Sequence, residues 1–266
     1  MRDAAPVRGD EPLSQQLEQL ARDGFVVLPA LIDAETRARI RDETARLARH
    51  TGRNPFEGHK TQRVYSPLSK TRAIDELIDH PRVLALLDAL LEPRYLLSQA
   101  QIINLLPGEA AQALHQDDAF YRLPRPSPTV HAAFICAIDA FTEDNGATVV
   151  VPGSHTWPAE RRPAPGEAIP CVMPAGSAVL FVGGLWHGGG ENRTAAPRLA
   201  VTGQYCAPWL RQHENFFLEL PRAQVRTLRP RIQELVGYAI HPPFMGMVDG
   251  RHPRRLLEDD ADDDAS

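Results

Sequence analysis

At 266 residues the chain is long enough for one large domain or two small ones, and with 43% hydrophobic residues it can fill a substantial core. A net charge of −5 and a pI near 6.1 argue against nucleic acid as the main partner, because phosphate binding needs a concentrated basic surface. No run approaches the roughly 18 apolar residues that span a bilayer, and the N-terminal "MRDAAPVRGDEPLSQQ" has no apolar leader segment, so no membrane contact and a cytoplasmic location are expected.

The first third reads as helical. "LSQQLEQLARDG" ends on Gly24, a natural C-terminal cap, and "DAETRARIRDETARLARHTG" opens with Asp33 as N-cap and is expected to close at Gly52. Between them "FVVLP" is a short apolar strand. A further helix, "PRVLALLDALLEP", starts at Pro81, where a missing N–H costs nothing, and stops before Pro93. Its Val83, Leu84, Leu87, Leu90 and Leu91 make a core-facing stripe.

From Tyr95 the pattern changes to short runs separated by turn residues: "YLLSQAQIINLL", "TVHAAFICAI", "ATVVVP", "SAVLFV" and "RLAVTGQYC". Several short strands with Gly/Pro turns suggest a jelly-roll sandwich or barrel, and helices followed by strands give an α+β protein with a mainly β core. "PRAQVRTL" and "PRIQELVGY" read as short helices, and "IHPPFMGMVDGRHP" is too rich in Pro and Gly for regular structure. The acidic end, residues 258–266, is expected to be a disordered tail. The expectation is thus a single domain over 1–257: a helical buttress at about 11–93, a β core at about 95–206, and C-terminal helices and loop at 207–257. Cys136, Cys171 and Cys206 lie far apart with no C-x-x-C pair and read as reduced, buried side chains.

"ALHQDDAF" places His115 and Asp117 two positions apart, just after a predicted strand. One H-x-D or H-x-E is expected by chance in a chain with this many histidines, so the pair needs a third ligand. His187 in "LFVGGLWHGGGENRT" is the best candidate, because it follows a strand-like run and sits where glycines let something bulky approach. A lone histidine is more often structural. Two imidazoles and one carboxylate on one face of an octahedral ion nevertheless form the triad that suits non-haem Fe(II). Arg198 opens "RLAVTGQYC", where Arg198, Ala200, Thr202 and Gln204 share one strand face. An inward arginine is matched best by a bidentate carboxylate, while the plain alternative is a rim salt bridge.

"LHQDDAFYRLPRP", "DNGATVVVPGSH" and "MPAGSAVLFVGGLWHGGGENRTAAPRLAV", in this order, resemble the phytanoyl-CoA dioxygenase family of Fe(II)/2-oxoglutarate oxygenases, over roughly residues 95–206. The resemblance implies a double-stranded β-helix, the cupin-like jelly roll, buttressed by N-terminal helices. It implies Fe(II), 2-oxoglutarate and O2 as cofactor and co-substrates. It assigns His115, Asp117 and His187 to iron and Arg198 to the distal carboxylate of 2-oxoglutarate. Family members often add a hydroxyl two residues after the distal histidine; here that position is Gly189, and Thr202 is the expected substitute. Gln101 and Asn104 are further candidates for co-substrate contact. The reaction implied is hydroxylation of a C–H bond with release of succinate and CO2, and a carboxylate ligand rather than a small residue argues against halogenation.

The serious alternative is a non-catalytic or isomerase-type cupin-like metal-binding barrel. "HGGG" also resembles an esterase oxyanion loop, but no G-x-S-x-G follows it, and H-E-x-x-H is absent. Gly153-Ser154-His155 is read as fixing a loop at the barrel mouth, with His155 not a ligand, and Trp186 as a packing residue. Phe120, Tyr121, Arg122 and Trp209, with Phe216 and Phe217, are candidates for a substrate pocket. The expected substrate is a free, moderately apolar small metabolite rather than a coenzyme A thioester, whose phosphates call for clustered Lys and Arg. Near the motif stand only Arg122 and Arg125, and "RHPRR" at 251–255 is the other basic candidate. A monomer or a homodimer is expected.

Overall fold

A computed structural model of the protein describes residues 11–258. The acidic tail therefore lies outside the described residues, apart from Glu258, which ends a short helix instead of starting the tail. Helix α1 (Leu13–Asp23) closes at Gly24, whose φ of 82° is left-handed and whose missing side chain would strike the His155 ring at 2.6 Å. The chain reverses there into strand β1 (Phe25–Leu28). Asp33 caps α2 (Ala34–Leu47) by accepting the Thr36 N–H at 2.8 Å.

Helix α2 stops at Leu47, short of the expected Gly52. The Gly52 N–H turns instead to the carbonyls of Gly58 and Thr61, and Thr51 bridges to Gln62. These contacts lead into β2 (Thr61–Tyr65), a strand the sequence pattern did not predict. Helix α3 (Asp75–Ile78) precedes α4 (Pro81–Leu90), which buries Val83, Leu86 and Leu87, each contributing about 1.5–3 kcal/mol. Leu84 and Leu90 of the expected stripe are only half-buried, and Leu86 takes their place in the core.

The remaining strands are β3 (Leu96–Leu105), β4 (His131–Ala137), β5 (Thr148–Val150), β6 (Ile169–Pro170), β7 (Ala178–Val182), β8 (His187–Gly189) and β9 (Arg198–Cys206). All pair antiparallel in two sheets, ordered β1-β7-β4-β9-β3-β2 and β6-β5-β8. This is the jelly roll. Alternation along each strand divides the interior. Ala132, Phe134 and Cys136 of β4, with Leu199, Val201 and Tyr205 of β9, face a core shared with the helices. Ala133, Ala137 and Ala200 face a smaller core between the sheets with Phe141, Val179 and Phe181.

The buttress is not N-terminal alone. Helices α5 (Phe216–Glu219), α6 (Arg222–Arg226) and α7 (Pro230–Leu235) send Phe216, Val225, Ile232 and Leu235 into the same outer core, and α8 (Arg255–Glu258) packs on α6. All three cysteines are free and buried. Among the described residues no helix is long and apolar enough to cross a membrane.

Candidate active site

His115 and His187 exchange backbone hydrogen bonds, His115 N–H to His187 O at 2.8 Å and the reverse at 2.9 Å, in a bridge that extends the smaller sheet. The bridge sets the two imidazoles side by side with ring centroids 4.4 Å apart. Asp117, two residues on, points back between them: its Oδ1 lies 3.6 Å from His115 Nε2 and 3.5 Å from His187 Nε2. One potential ligand atom from each residue falls within 4.8 Å of the others, so a single metal ion can engage all three.

The tautomers follow from the partners. His115 Nδ1 lies 3.0 Å from the Ala113 carbonyl and His187 Nδ1 lies 3.0 Å from that of Leu185. A carbonyl only accepts, so each ring carries its proton on Nδ1 and turns Nε2 toward Asp117. This is how ligating histidines are commonly oriented. Burial works against the Asp117 carboxylate, but His187 and His115 overcome it, and its pKa falls well below the usual range. Burial likewise opposes the charged His187 ring, and Asp117 outweighs it, raising the pKa.

A cavity of about 200 Å³ opens beside this cluster. Arg198 enters it from the inward face of β9, 4% exposed, with its guanidinium 4.4 Å over the Phe141 ring and Nη2 donating to the Gly146 carbonyl. Its Nε is buried without a partner, and among the described residues it forms no ion pair. Burial lowers its pKa to about 10, so it remains a cation at neutral pH.

The strand faces decide which predicted residues reach the cavity. Gln101 and Thr202 do, directly opposite each other on β3 and β9. Asn104 does not: it lies on the other face of β3 and donates to Gln62 Oε1 at 2.7 Å. Phe120 lines the mouth, whereas Tyr121 turns its hydroxyl to the Arg211 carbonyl at 3.3 Å and Arg122 is exposed. Trp209 donates to Glu92 at 3.1 Å away from the cavity, Phe216 is core, and Phe217 packs on Tyr238. His155 and Trp186 do not line the cavity; His155 packs instead at Gly24, the cap of α1.

Sequence reasoning missed Arg63, Gln112, Thr148, Phe56 and His213, all on the cavity wall. Arg63 sits on the unpredicted β2. Thr148 stands directly across from Gly189 in the β5–β8 ladder and carries a hydroxyl to the side where Gly189 has none. Gln112 fastens the metal-side loop, accepting the Gly189 N–H at 3.1 Å and donating to the Phe56 carbonyl at 2.9 Å. That last signal was readable: Gln112 lies three residues before His115.

Comparison with known proteins places this geometry. The family model described as phytanoyl-CoA dioxygenase (PhyH) matches residues 20–200. Dioxygenase trt7 of Aspergillus terreus is 29% identical over 239 residues, covering 84% of this chain and 83% of that protein. Among solved structures, the epimerase SnoN from nogalamycin biosynthesis, in complex with Fe3+, alpha ketoglutarate and nogalamycin RO, shares the fold at a TM-score of 0.62 and 22% identity, over 73% of this chain and 83% of its own. The alpha ketoglutarate dependent carbocyclase SnoK, from the same biosynthesis, does so at 0.62 and 16%, over 77% and 87%. With its family model matched over most of its length, the chain belongs to the phytanoyl-CoA dioxygenase family of Fe(II)/2-oxoglutarate-dependent enzymes.

Proposed function

We propose that this protein holds Fe(II) at His115, Asp117 and His187 and uses 2-oxoglutarate and O2 to hydroxylate an unactivated C–H bond of a free small metabolite. The residues fit both groups. Two imidazole nitrogens and one carboxylate oxygen converge, with the outer ring nitrogens already bonded, and three protein ligands leave octahedral positions open. The observation that carries the co-substrate is Arg198: a buried cation that, among the described residues, forms no ion pair and leaves its Nε without a hydrogen-bond partner, beside the metal cluster. A metal barrel that binds no dicarboxylate gives no reason to bury that charge, which disfavours the non-catalytic alternative.

The chemistry such a centre supplies is the coupling of 2-oxoglutarate decarboxylation, to succinate and carbon dioxide, to oxidation of a substrate C–H bond. The protein's part is placement. Arg198 takes the distal carboxylate by charge-assisted hydrogen bonds, with Thr202 or Thr148 supplying the hydroxyl that Gly189 lacks. Asp117 offers its one oxygen toward the two histidines. Phe56, Ile103, Phe120 and Ile135 supply the apolar part of the cavity wall, which keeps water from the reacting atoms.

A free metabolite suits this mouth better than a coenzyme A thioester. Arg125 is committed to a buried ion pair with Asp118 and is not on the cavity. Of residues 251–255 none lines the cavity. An epimerase and a carbocyclase share this fold, so hydroxylation rests on the ligand set and substrate placement rather than on the fold.

The test is iron-dependent succinate release from 2-oxoglutarate, screened with small-molecule libraries and with matched free acids and thioesters. Asp117→Ala is expected to abolish turnover while keeping the fold. Full activity in that variant removes the triad, and coupled turnover with thioesters alone removes the substrate class.

A further inference from the structure

Five side chains on the cavity wall form one directed chain of hydrogen bonds. Arg63 Nη1 donates to Gln101 Oε1 at 2.8 Å, and Gln101 Nε2 donates to Gln99 Oε1 at 3.1 Å. Gln99 Nε2 donates to Gln204 Oε1 at 2.9 Å, and Gln204 Nε2 donates to Asp117 Oδ2 at 3.1 Å. The two ends fix the direction. A guanidinium has only donors and an ionised carboxylate only acceptors, so each amide between them turns its oxygen toward Arg63 and its nitrogen toward Asp117. Reversing any one amide would set donor against donor and acceptor against acceptor.

The backbone is built to make this chain. The β3–β9 register shifts between Leu97 and Gln99, so Ser98 is an extra residue on β3. An unshifted register running from Leu97↔Tyr205 would set Ser98 opposite Gln204 and Gln99 opposite Gly203. The bulge sets Gln99 opposite Gln204 instead, on the cavity face. It is pinned from outside: the Ser98 carbonyl accepts the Glu214 N–H at 2.9 Å, and the Ser98 hydroxyl accepts the His213 N–H at 3.1 Å. The Glu214 carboxylate accepts the Ala100 N–H at 3.1 Å.

We infer that Gln99, Gln101 and Gln204 are positioning residues that hold Asp117 Oδ2 away from the metal, so that Oδ1 alone is offered to it, and that tie this orientation to Arg63 across the cavity. The inference rests on the triad being the metal site. A carboxylate free to turn can engage a metal through one oxygen or both. Pinned through Oδ2 it stays a single ligand, and the positions that co-substrate and O2 require stay open. Gln99 acts on Asp117 only through Gln204.

Co(II) binding to the whole purified protein, without 2-oxoglutarate, tests the chain by affinity and by the visible ligand-field spectrum. Gln204→Leu is expected to weaken Co(II) binding by about 10–100-fold and to change the spectrum. Gln99→Glu is nearly isosteric and keeps the oxygen that accepts from Gln101, but it loses the amide that donates to Gln204. It is expected to weaken binding in the same direction and to change the spectrum the same way. Gln62→Glu, an amide change off the cavity face, is expected to leave both unaltered. Wild-type affinity and spectrum in Gln204→Leu overturn the inference. So does an effect of Gln204→Leu with none of Gln99→Glu, which would leave Gln204 acting alone. Wild-type protein that binds no Co(II) removes the metal site itself, a separate failure.

Discussion

Replacing Arg198 with methionine separates what this residue does for the fold from what it does for the co-substrate. The residue is 4% exposed, and burial brings its pKa down from the ordinary guanidinium value to about 10. At about 1.4 kcal/mol per pH unit, the buried cation costs the ligand-free fold about 3 kcal/mol. The sign follows from linkage. A base whose folded pKa is depressed destabilises the fold at neutral pH, and the penalty fades only as pH rises through the folded value toward the unfolded one. Methionine removes the charge and keeps much of the stem. It also loses the bond to the Gly146 carbonyl, about 1 kcal/mol, and the stack on Phe141, about 1 kcal/mol. The balance leaves the ligand-free variant more stable than wild type by about 1 kcal/mol, or about 2–4 °C in Tm. With 2-oxoglutarate the order reverses. Wild type gains about 2.7 kcal/mol at about a hundredfold excess over Kd, while the variant has lost about 2–5 kcal/mol of co-substrate binding. Scanning calorimetry of both proteins, metal-loaded, with and without 2-oxoglutarate, reads all four values. A variant that melts below wild type without co-substrate and gains as much from it refutes the assignment.

His131 is fully buried with neither ring nitrogen partnered among the described residues, and burial lowers its pKa to about 4. Its neutral form stabilises the fold fully above the unfolded value of 6.5, and that contribution is lost as pH falls toward 4. His131→Phe should therefore remove up to about 1.4 kcal/mol per pH unit from the acid-side slope of stability in denaturant titrations; an unchanged slope refutes it. A Cβ at Gly189 would meet nothing closer than Gln112 Oε1 at 3.6 Å, so Gly189→Ser should fold normally. By restoring a hydroxyl beside Thr148 it should lower the KM for 2-oxoglutarate by about 2–10-fold, the value of one hydrogen bond; a raised KM would place the carboxylate elsewhere. Arg125→Met strands Asp118, 2% exposed, without its partner and should lower stability by about 3–5 kcal/mol in chemical denaturation, whereas a change below about 1 kcal/mol would show the pair to be solvated.

Strand parity made much of this molecule readable in advance. "RLAVTGQYC" alternates between helix-facing Leu199 and Val201 and cavity-facing Arg198 and Thr202, so placing Arg198 inward needed only the period of two. The same rule, applied from Gln101, would have excluded Asn104, which stands an odd number of residues away. What could not be read was pairing. β2, "TQRVY", carries no apolar run, because it lies at a sheet edge and buries only Thr61 and Val64. Arg63 was therefore invisible as a cavity residue. The bulge at Ser98 leaves no mark in composition, yet it determines which glutamine faces Gln204. Of the aromatic pocket candidates in 120–121 and 209–217 only Phe120 lines the cavity: Phe216 is buried in the outer core, Phe217 packs on Tyr238, and Tyr121 and Trp209 bond to Arg211 and Glu92, partners whose position the sequence does not show.

The central claim is that His115, Asp117 and His187 present a metal to a 2-oxoglutarate held by Arg198. Anaerobic titration of the Fe(II)-loaded protein with 2-oxoglutarate, followed by visible absorption, observes that contact without turnover or substrate. The account predicts a charge-transfer band in wild type, none in Asp117→Ala, and in Arg198→Met a band that requires at least about 30-fold more 2-oxoglutarate, from a loss of about 2 kcal/mol or more. Wild-type protein with iron bound and no band at saturating 2-oxoglutarate, or an unaltered titration in Arg198→Met, contradicts it.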